Sequence, residues 1–389
     1  MTESSNKNIP LFKVFMNPDA SDSVSKILNS GYIGQGEQVN KFESGLQKFF
    51  NWDHVTTVNS ATSGLHLSVR MAKDKIRQSA YDGPVEVLTS PLTCTATNWP
   101  ILANNLPIKW VDVDADTMNI DLDDLERKLS PTTRIVMIVH WGGYSVDYDR
   151  LANISQTAKN LYGYYPIYIE DCAHSFGSTY KGFKLGTYFG LPNESRFAVY
   201  SFQAIKHLTS VDGGAILSNA TDAKQANLLR WYGIDRESNR KDFRCEADVE
   251  AWGYKFHMND INATVGIENL KVINPIIARH QANAEFYYKN LSNISGVSLL
   301  ENRPEIKSAY WLYTIKVHRQ DDFSKAMLDR GITVSRVHER NDKHTATKDF
   351  QCPLPSLEKV VKEMMCIPVG WWVTDEDREY IVNSIKKGW

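Results

Sequence analysis

Apolar residues gather in short runs at 55–58, 85–89, 108–111, 135–139, 167–169, 198–202 and 215–217, most of them separated by stretches of helical length. β-Branched runs alternating with helical segments predict βαβ units around a mostly parallel, seven-stranded sheet with helices on both faces. One connection breaks the pattern. About a dozen residues join the run ending at Phe202 to the run starting at Ala215. A parallel crossover needs roughly a dozen or more residues, usually holding a helix. Residues 203–214 contain Asp212-Gly213-Gly214 and no amphipathic helix, so the last strand is expected to run antiparallel to its predecessor, with Lys206 on the loop between them.

From 260 to 291 the period becomes helical, with Ile261, Val265, Ile267, Leu270, Ile273 and Ile277 as expected core positions and Pro275 expected to kink or interrupt the stretch. Residues 295–389 mix a strand at 311–317 with helices at 323–330 and 357–365 and predict a smaller α+β unit. The expected division is a large domain over 1–260, including the N-terminal segment, and a connecting helix with a small C-terminal domain over 261–389.

At 389 residues the chain can bury a large core. A net charge of −2 leaves no basic surface for nucleic acid and no acidic tail. The cysteines, Cys94, Cys172, Cys245, Cys352 and Cys366, are odd in number and scattered, without a CxxC pair. That pattern argues against a disulfide framework or structural zinc and fits a reducing compartment. Residues 1–10 lack the apolar core of a signal peptide, and no run approaches the ~18 apolar residues of a membrane helix. A soluble, cytoplasmic protein with no nucleic-acid or membrane partner is expected.

The candidate chemistry lies at the ends of these runs. Tyr165-Pro166-Ile167-Tyr168-Ile169 closes on Glu170-Asp171, and Lys206 follows in Ser201-Phe202-Gln203-Ala204-Ile205-Lys206-His207. An acid at a strand end and an amine on a loop are what pyridoxal 5'-phosphate (PLP) requires: the acid holds the pyridinium proton and the amine forms the Schiff base. Asn59-Ser60-Ala61-Thr62-Ser63-Gly64-Leu65-His66 follows a strand and opens a helix, where free N–H groups and the dipole favour phosphate. Gly31-Tyr32-Ile33-Gly34-Gln35-Gly36 is not a GxGxxG after a strand, so it is not read as a nucleotide site.

Together these segments resemble the DegT/DnrJ/EryC1/StrS family of PLP-dependent nucleotide-sugar aminotransferases, from Ile9 to the C-terminus. Val111-Asp112-Val113-Asp114, Glu170-Asp171-Cys172-Ala173-His174-Ser175 and Gly253-Tyr254-Lys255-Phe256-His257-Met258-Asn259-Asp260-Ile261-Asn262-Ala263 also carry the resemblance. It implies an aspartate-aminotransferase-like fold (PLP fold type I). Lys206 would bind PLP covalently and move the proton, and Asp171 would pair with the ring nitrogen. His174 would lie near the phenolic oxygen, and Ala61, Thr62 and Ser201 would hold the phosphate. Lys255 would reach the phosphate of a neighbouring subunit's cofactor, making the working unit a homodimer. Residues 336–344 would contribute Arg336, His338, Arg340 and His344 to sugar-nucleotide binding; Arg suits a diphosphate because it binds bidentately.

Two departures stand out. Cys94, in Pro91-Leu92-Thr93-Cys94-Thr95, occupies the place of the family's ring-stacking aromatic, leaving Trp99 or Trp141 as alternative sources of it. His207 adjoins Lys206, and some relatives that replace the lysine with histidine are 3-dehydratases. The spacing from Ser201 puts Lys206 at the Schiff-base position. The expected reaction is transfer of an amino group from L-glutamate to a nucleotide-linked 4-keto-6-deoxy sugar, for an amino sugar of a surface glycan or glycoconjugate. The alternatives are a PLP-dependent keto-deoxysugar 3-dehydratase and a non-catalytic, regulatory member of the fold.

Overall fold

A computed structural model describes residues 7–79, 81–188, 196–236 and 248–389; Cys245 lies outside them. The strands are β1 (Val55–Val58), β2 (Glu86–Thr89), β3 (Ile108–Trp110), β4 (Thr133–Val139), β5 (Ile167–Asp171), β6 (Thr179–Tyr180), β7 (Phe183–Lys184), β8 (Arg196–Ser201), β9 (Gly214–Leu217), β10 (Val297–Leu299), β11 (Ile306–Lys307), β12 (Tyr313–Val317) and β13 (Met364–Ile367). Seven of them form one sheet in the order β1-β9-β8-β5-β4-β2-β3. Each expected run contributes one of its strands. β9 alone runs against its neighbours, pairing antiparallel with both β1 and β8, so Lys206 does lie on a loop between antiparallel strands.

Alternation along the strands builds a core on each face. Leu88, Val136, Ile138, Tyr168 and Tyr200 face one side, with Phe42 and Leu46 of the helix Glu37–Phe50 and Tyr148 and Leu151 of the helix Tyr148–Tyr162. Val87, Ile135, Met137, Ile169, Phe197 and Val199 face the other, with Leu65 and Ile76 of the helix Ala61–Gln78 and Ile101 of the helix Thr95–Ala103.

The helical stretch after 260 is two helices, Asp260–Leu270 and Ile273–Leu291. The break falls at Lys271-Val272, upstream of Pro275. A proline ring clashes with the carbonyl four residues earlier, here that of Lys271, and is tolerated in a first turn. Val265, Ile273 and Ile277 are buried, whereas Ile261, Ile267 and Leu270 are only half-buried. The second helix, about 28 Å long at 1.5 Å per residue, begins against the large sheet through Ile277. It ends in a separate cluster through Ala284, Tyr287 and Leu291. That cluster centres on the sheet β10-β12-β13 and includes Ile9, which bridges to Ile332.

Two expectations for this region change. The helix expected at 357–365 is Pro355–Val360, and Met364–Ile367 forms β13 instead because those four residues are buried and pair with β12. The strand expected from 311 starts at Tyr313, leaving Trp311 outside it.

The glycine-rich segment 31–36 has a mechanical role. Asp260 accepts hydrogen bonds from the N–H groups of Gly36 (2.8 Å), Val39 (3.1 Å) and Gln38 (3.3 Å), and its own N–H donates to Gly34 O (2.8 Å). One carboxylate thus satisfies the open end of the helix Glu37–Phe50 from a distant part of the chain. A Cβ on Gly36 would sit 2.8 Å from Asp260 Oδ2. Asp260→Ala should therefore cost about 1.5–3 kcal/mol, the range for hydrogen bonds to a charged group. A urea midpoint equal to that of the unaltered chain would refute the assignment.

Candidate active site

The carboxyl ends of the parallel strands and the loop 202–213 enclose the site. β5 ends at Asp171, and the alternation of its side chains separates the two acids. Glu170 points to the face of Tyr148 and is fully buried. His140 Nε2 lies 3.1 Å from its Oε2, Arg196 Nε lies 3.4 Å from its Oε1, and the Tyr148 hydroxyl donates a short bond to it. Burial opposes its charge, but these partners prevail and hold its carboxyl below the usual range.

Asp171 points the other way. Its Oδ2 accepts from Thr97 Oγ1 at 2.6 Å and its Oδ1 from the Ala173 N–H at 3.0 Å. Burial pushes its carboxyl up, and these bonds with the charge of Lys206 pull it part of the way back. Thr97 also meets Thr93 Oγ1 at 2.7 Å. Thr97 was not anticipated; it lies in the first turn of the helix Thr95–Ala103, and Thr93 reaches it from the segment just before that helix.

Burial lowers Lys206 from the ordinary lysine value to about 7, against the attraction of Asp171 and Cys94. Its Nζ lies 3.4 Å from the centroid of Trp311. His174 stacks on Trp311 at 4.0 Å, and His338 lies parallel to His174 at 5.7 Å. The Gly142 N–H points at His174 Nδ1 (3.4 Å), so the ring proton belongs on Nε2. Burial holds His174 neutral and pushes His338 down to about 4. His338 Nε2 is buried without a hydrogen-bond partner.

The turn expected to hold phosphate stands at the sheet edge. Ser60 caps the helix Ala61–Gln78, accepting from the Ser63 N–H at 3.1 Å. The N–H groups of Ala61 and Thr62, in the first turn, have no intrahelical acceptor. Gly214 pairs with Ser201 on one side and Val58 on the other, and a Cβ on it would sit 2.7 Å from Ala61 N. This close approach brings Ser201 beside the helix start. Lys255 is exposed, and its carbonyl accepts from Asn59 Nδ2 (3.3 Å), next to the same turn.

The remaining sequence candidates divide. Cys94 is half-buried near Lys206. Trp141 meets His174 edge-on at 6.1 Å, and Trp99 meets His344 at 5.7 Å. His207 turns away to Ala309 O (2.9 Å). Residues 336–344 do border the site, because Asn341 bonds to Thr93 O, Pro91 O and Asn98. Within them His338 enters the Lys206 pocket and Arg336 is exposed, bonded to Gln320 (3.3 Å). Arg340 is buried with its fork on Asp342, Nε to Oδ1 at 2.7 Å. Phe12, Arg319, Arg336, His338, Lys343 and Lys362 are among the residues lining a cleft of about 1220 Å³ beside this loop.

A buried carboxylate, an amine partly neutral at pH 7, and open helix-end amides with hydroxyls of Thr62 and Ser201 form the donor set that PLP requires, and they fit it. In the protein stripped of small molecules, competitive acylation of Lys206 should show a midpoint near pH 7. Because this value lies below the usual one, the folded chain binds fewer protons than the unfolded chain over that interval. Lys206 therefore favours folding increasingly as pH rises through it. Asp171→Asn removes an attraction and should move the midpoint lower. A midpoint at the usual lysine value would place the amine outside the pocket.

A sequence profile of the DegT/DnrJ/EryC1/StrS aminotransferase family matches residues 16–386. The sugar aminotransferase CalS13 of Micromonospora echinospora is 42% identical, covers 98% of this chain and 100% of its own, and superposes with a TM-score of 0.91. AtS13 of Actinomadura melliaura is 43% identical over 98% of this chain and 99% of its own, with a TM-score of 0.92. The UDP-4-amino-4,6-dideoxy-N-acetyl-beta-L-altrosamine transaminase of Campylobacter jejuni is 26% identical over 95% of this chain and 96% of its own.

Proposed function

The chain belongs to the DegT/DnrJ/EryC1/StrS aminotransferase family and is a PLP-dependent sugar aminotransferase; on that premise we propose that it moves the amino group of L-glutamate to a nucleotide-linked 4-keto-6-deoxy sugar, yielding an amino sugar for a surface glycan or glycoconjugate. The observation that carries this reading is the meeting of Asp171 and Lys206 in one pocket, with the Lys206 amine near half-neutral at physiological pH. PLP supplies the electron sink on which amine transfer depends.

The chain's own residues do the rest. Asp171, with one oxygen oriented by Thr97, would keep a proton on the ring nitrogen. Lys206 Nζ takes and returns the migrating proton, which a pKa near the working pH favours. His174 would offer its Nε2–H to the ring's oxygen, and Ser201, Ala61 and Thr62 would hold the phosphate.

The cleft beside residues 336–344 exceeds what one glutamate fills and suits a sugar nucleotide. Arg336, His338 and His344 are proposed to meet that substrate. Arg340 acts through Asp342, keeping the loop in shape. The working unit is proposed to be a cytoplasmic homodimer in which Lys255 meets the partner's phosphate. Tyr32 (85% exposed) and Val211 (53%) support it, as apolar surface flanking the start of the helix Asp260–Leu270. The two-domain division at 260/261 belongs to the same proposal.

The purified protein with PLP, L-glutamate and a panel of keto sugar nucleotides should yield an amino sugar detectable by mass. Borohydride should fix the cofactor to the peptide holding Lys206; label on another lysine would reject the assignment. Arg336→Ala should weaken the sugar half-reaction by roughly ten- to a hundredfold, one charge-assisted contact of about 1.5–3 kcal/mol, and spare the glutamate half-reaction. An equal fall in both would rule out a sugar-specific role. Sedimentation should show a dimer, and a fully active monomer would exclude the role of Lys255.

A further inference from the structure

Three consecutive residues of the lysine loop meet Ala309 and Trp311, in the segment that leads into β12. Trp311 Nε1 donates to Ile205 O at 2.9 Å, Lys206 Nζ lies 3.4 Å from the Trp311 ring centroid, and His207 Nε2 donates to Ala309 O at 2.9 Å. His280 Nδ1 donates to Tyr310 O at 2.9 Å, securing the middle residue. Trp311 itself is 3% exposed and packed, with Phe12 stacked at 5.0 Å and His174 at 4.0 Å. The indole therefore cannot swing away from the amine.

We propose that Trp311 is a positioning residue for the transamination: its ring is the resting place of the Lys206 amine whenever that amine is not covalently engaged, and it stabilises the amine's protonated form. The inference rests on the reading of Lys206 as the proton carrier. The negative face of an indole attracts an ammonium, most strongly where water is excluded. Lys206 also faces Asp171 and Cys94, which favour its charge, and His174, His338 and His207, which oppose it when protonated. The indole thus offsets part of the burial cost at the moment Lys206 holds the migrating proton. It also holds Nζ at one place on the pocket wall, where a free lysine would sample several rotamers.

The test is competitive acylation of Lys206 across pH in the cofactor-free protein, read on its peptide by mass. Trp311→Leu, which keeps apolar bulk without a ring face, should lower the Lys206 midpoint by about one pH unit. Trp311→Phe should lower it by less. An unchanged midpoint in a Trp311→Leu protein with native circular dichroism would overturn the proposal. Should that variant not fold, growth on mono-, di- and trifluorinated tryptophan preserves shape while draining the ring face. The midpoint should then fall in step with fluorine number, and independence from fluorine number would equally overturn the idea. Borohydride attachment of PLP to Lys206 in the unaltered chain is a separate readout. Its failure would count against the cofactor assignment and leave the Trp311 contact standing.

Discussion

The antiparallel insertion of β9 between β1 and β8 is the constraint on which the site depends. A strand entering between two others from the opposite direction must begin where they end. Gly214 therefore sits across from both Ser201 and Val58. The loop feeding β9 emerges at the carboxyl edge of the sheet, beside Asp171 at the end of β5 and the helix opening at Ala61. A parallel strand in that place would need a crossover, and the amine would leave the edge where the acid and the open helix end lie. Gly214 is the tight point, because the chain passes too close to Ala61 for a side chain.

Around that edge some buried charges are closely paired, whereas Lys206 has no close carboxylate. Glu170 has His140, Tyr148 and Arg196, and its network backs the strand end on the far face of the sheet. Arg340 has Asp342. Lys206 has the face of Trp311 and the longer-range attraction of Asp171 and Cys94, and burial still prevails. A buried ammonium without a close carboxylate becomes a poised base, whereas a full ion pair would have fixed its charge.

Residues late in the chain also help to close this pocket. Trp311 and His338 are two of them, and Phe12, near the N-terminal segment bridged to Ile332, backs the indole. The helix Ile273–Leu291 links the two cores, and His280 within it bonds to the carbonyl of Tyr310, next to Trp311.

By itself the sequence determined what depends on short stretches of chain: the seven strands, the reversal before β9, and the acid, amine and phosphate turn at strand and helix ends. Period, turn residues and connection length act over a few residues and are written locally. Tertiary structure decided which distant groups became neighbours. Trp311 sat in an apolar run like any core aromatic, and because β12 begins only at Tyr313 it lies outside the strand, against the amine. Arg340 and Arg336 looked alike in sequence, yet one was taken by Asp342 while the other stayed exposed. Asp260 became the anchor of a helix 200 residues and more away. Side-chain partnerships of this kind depend on how elements pack, and packing brings together residues whose spacing along the chain carries no period to read.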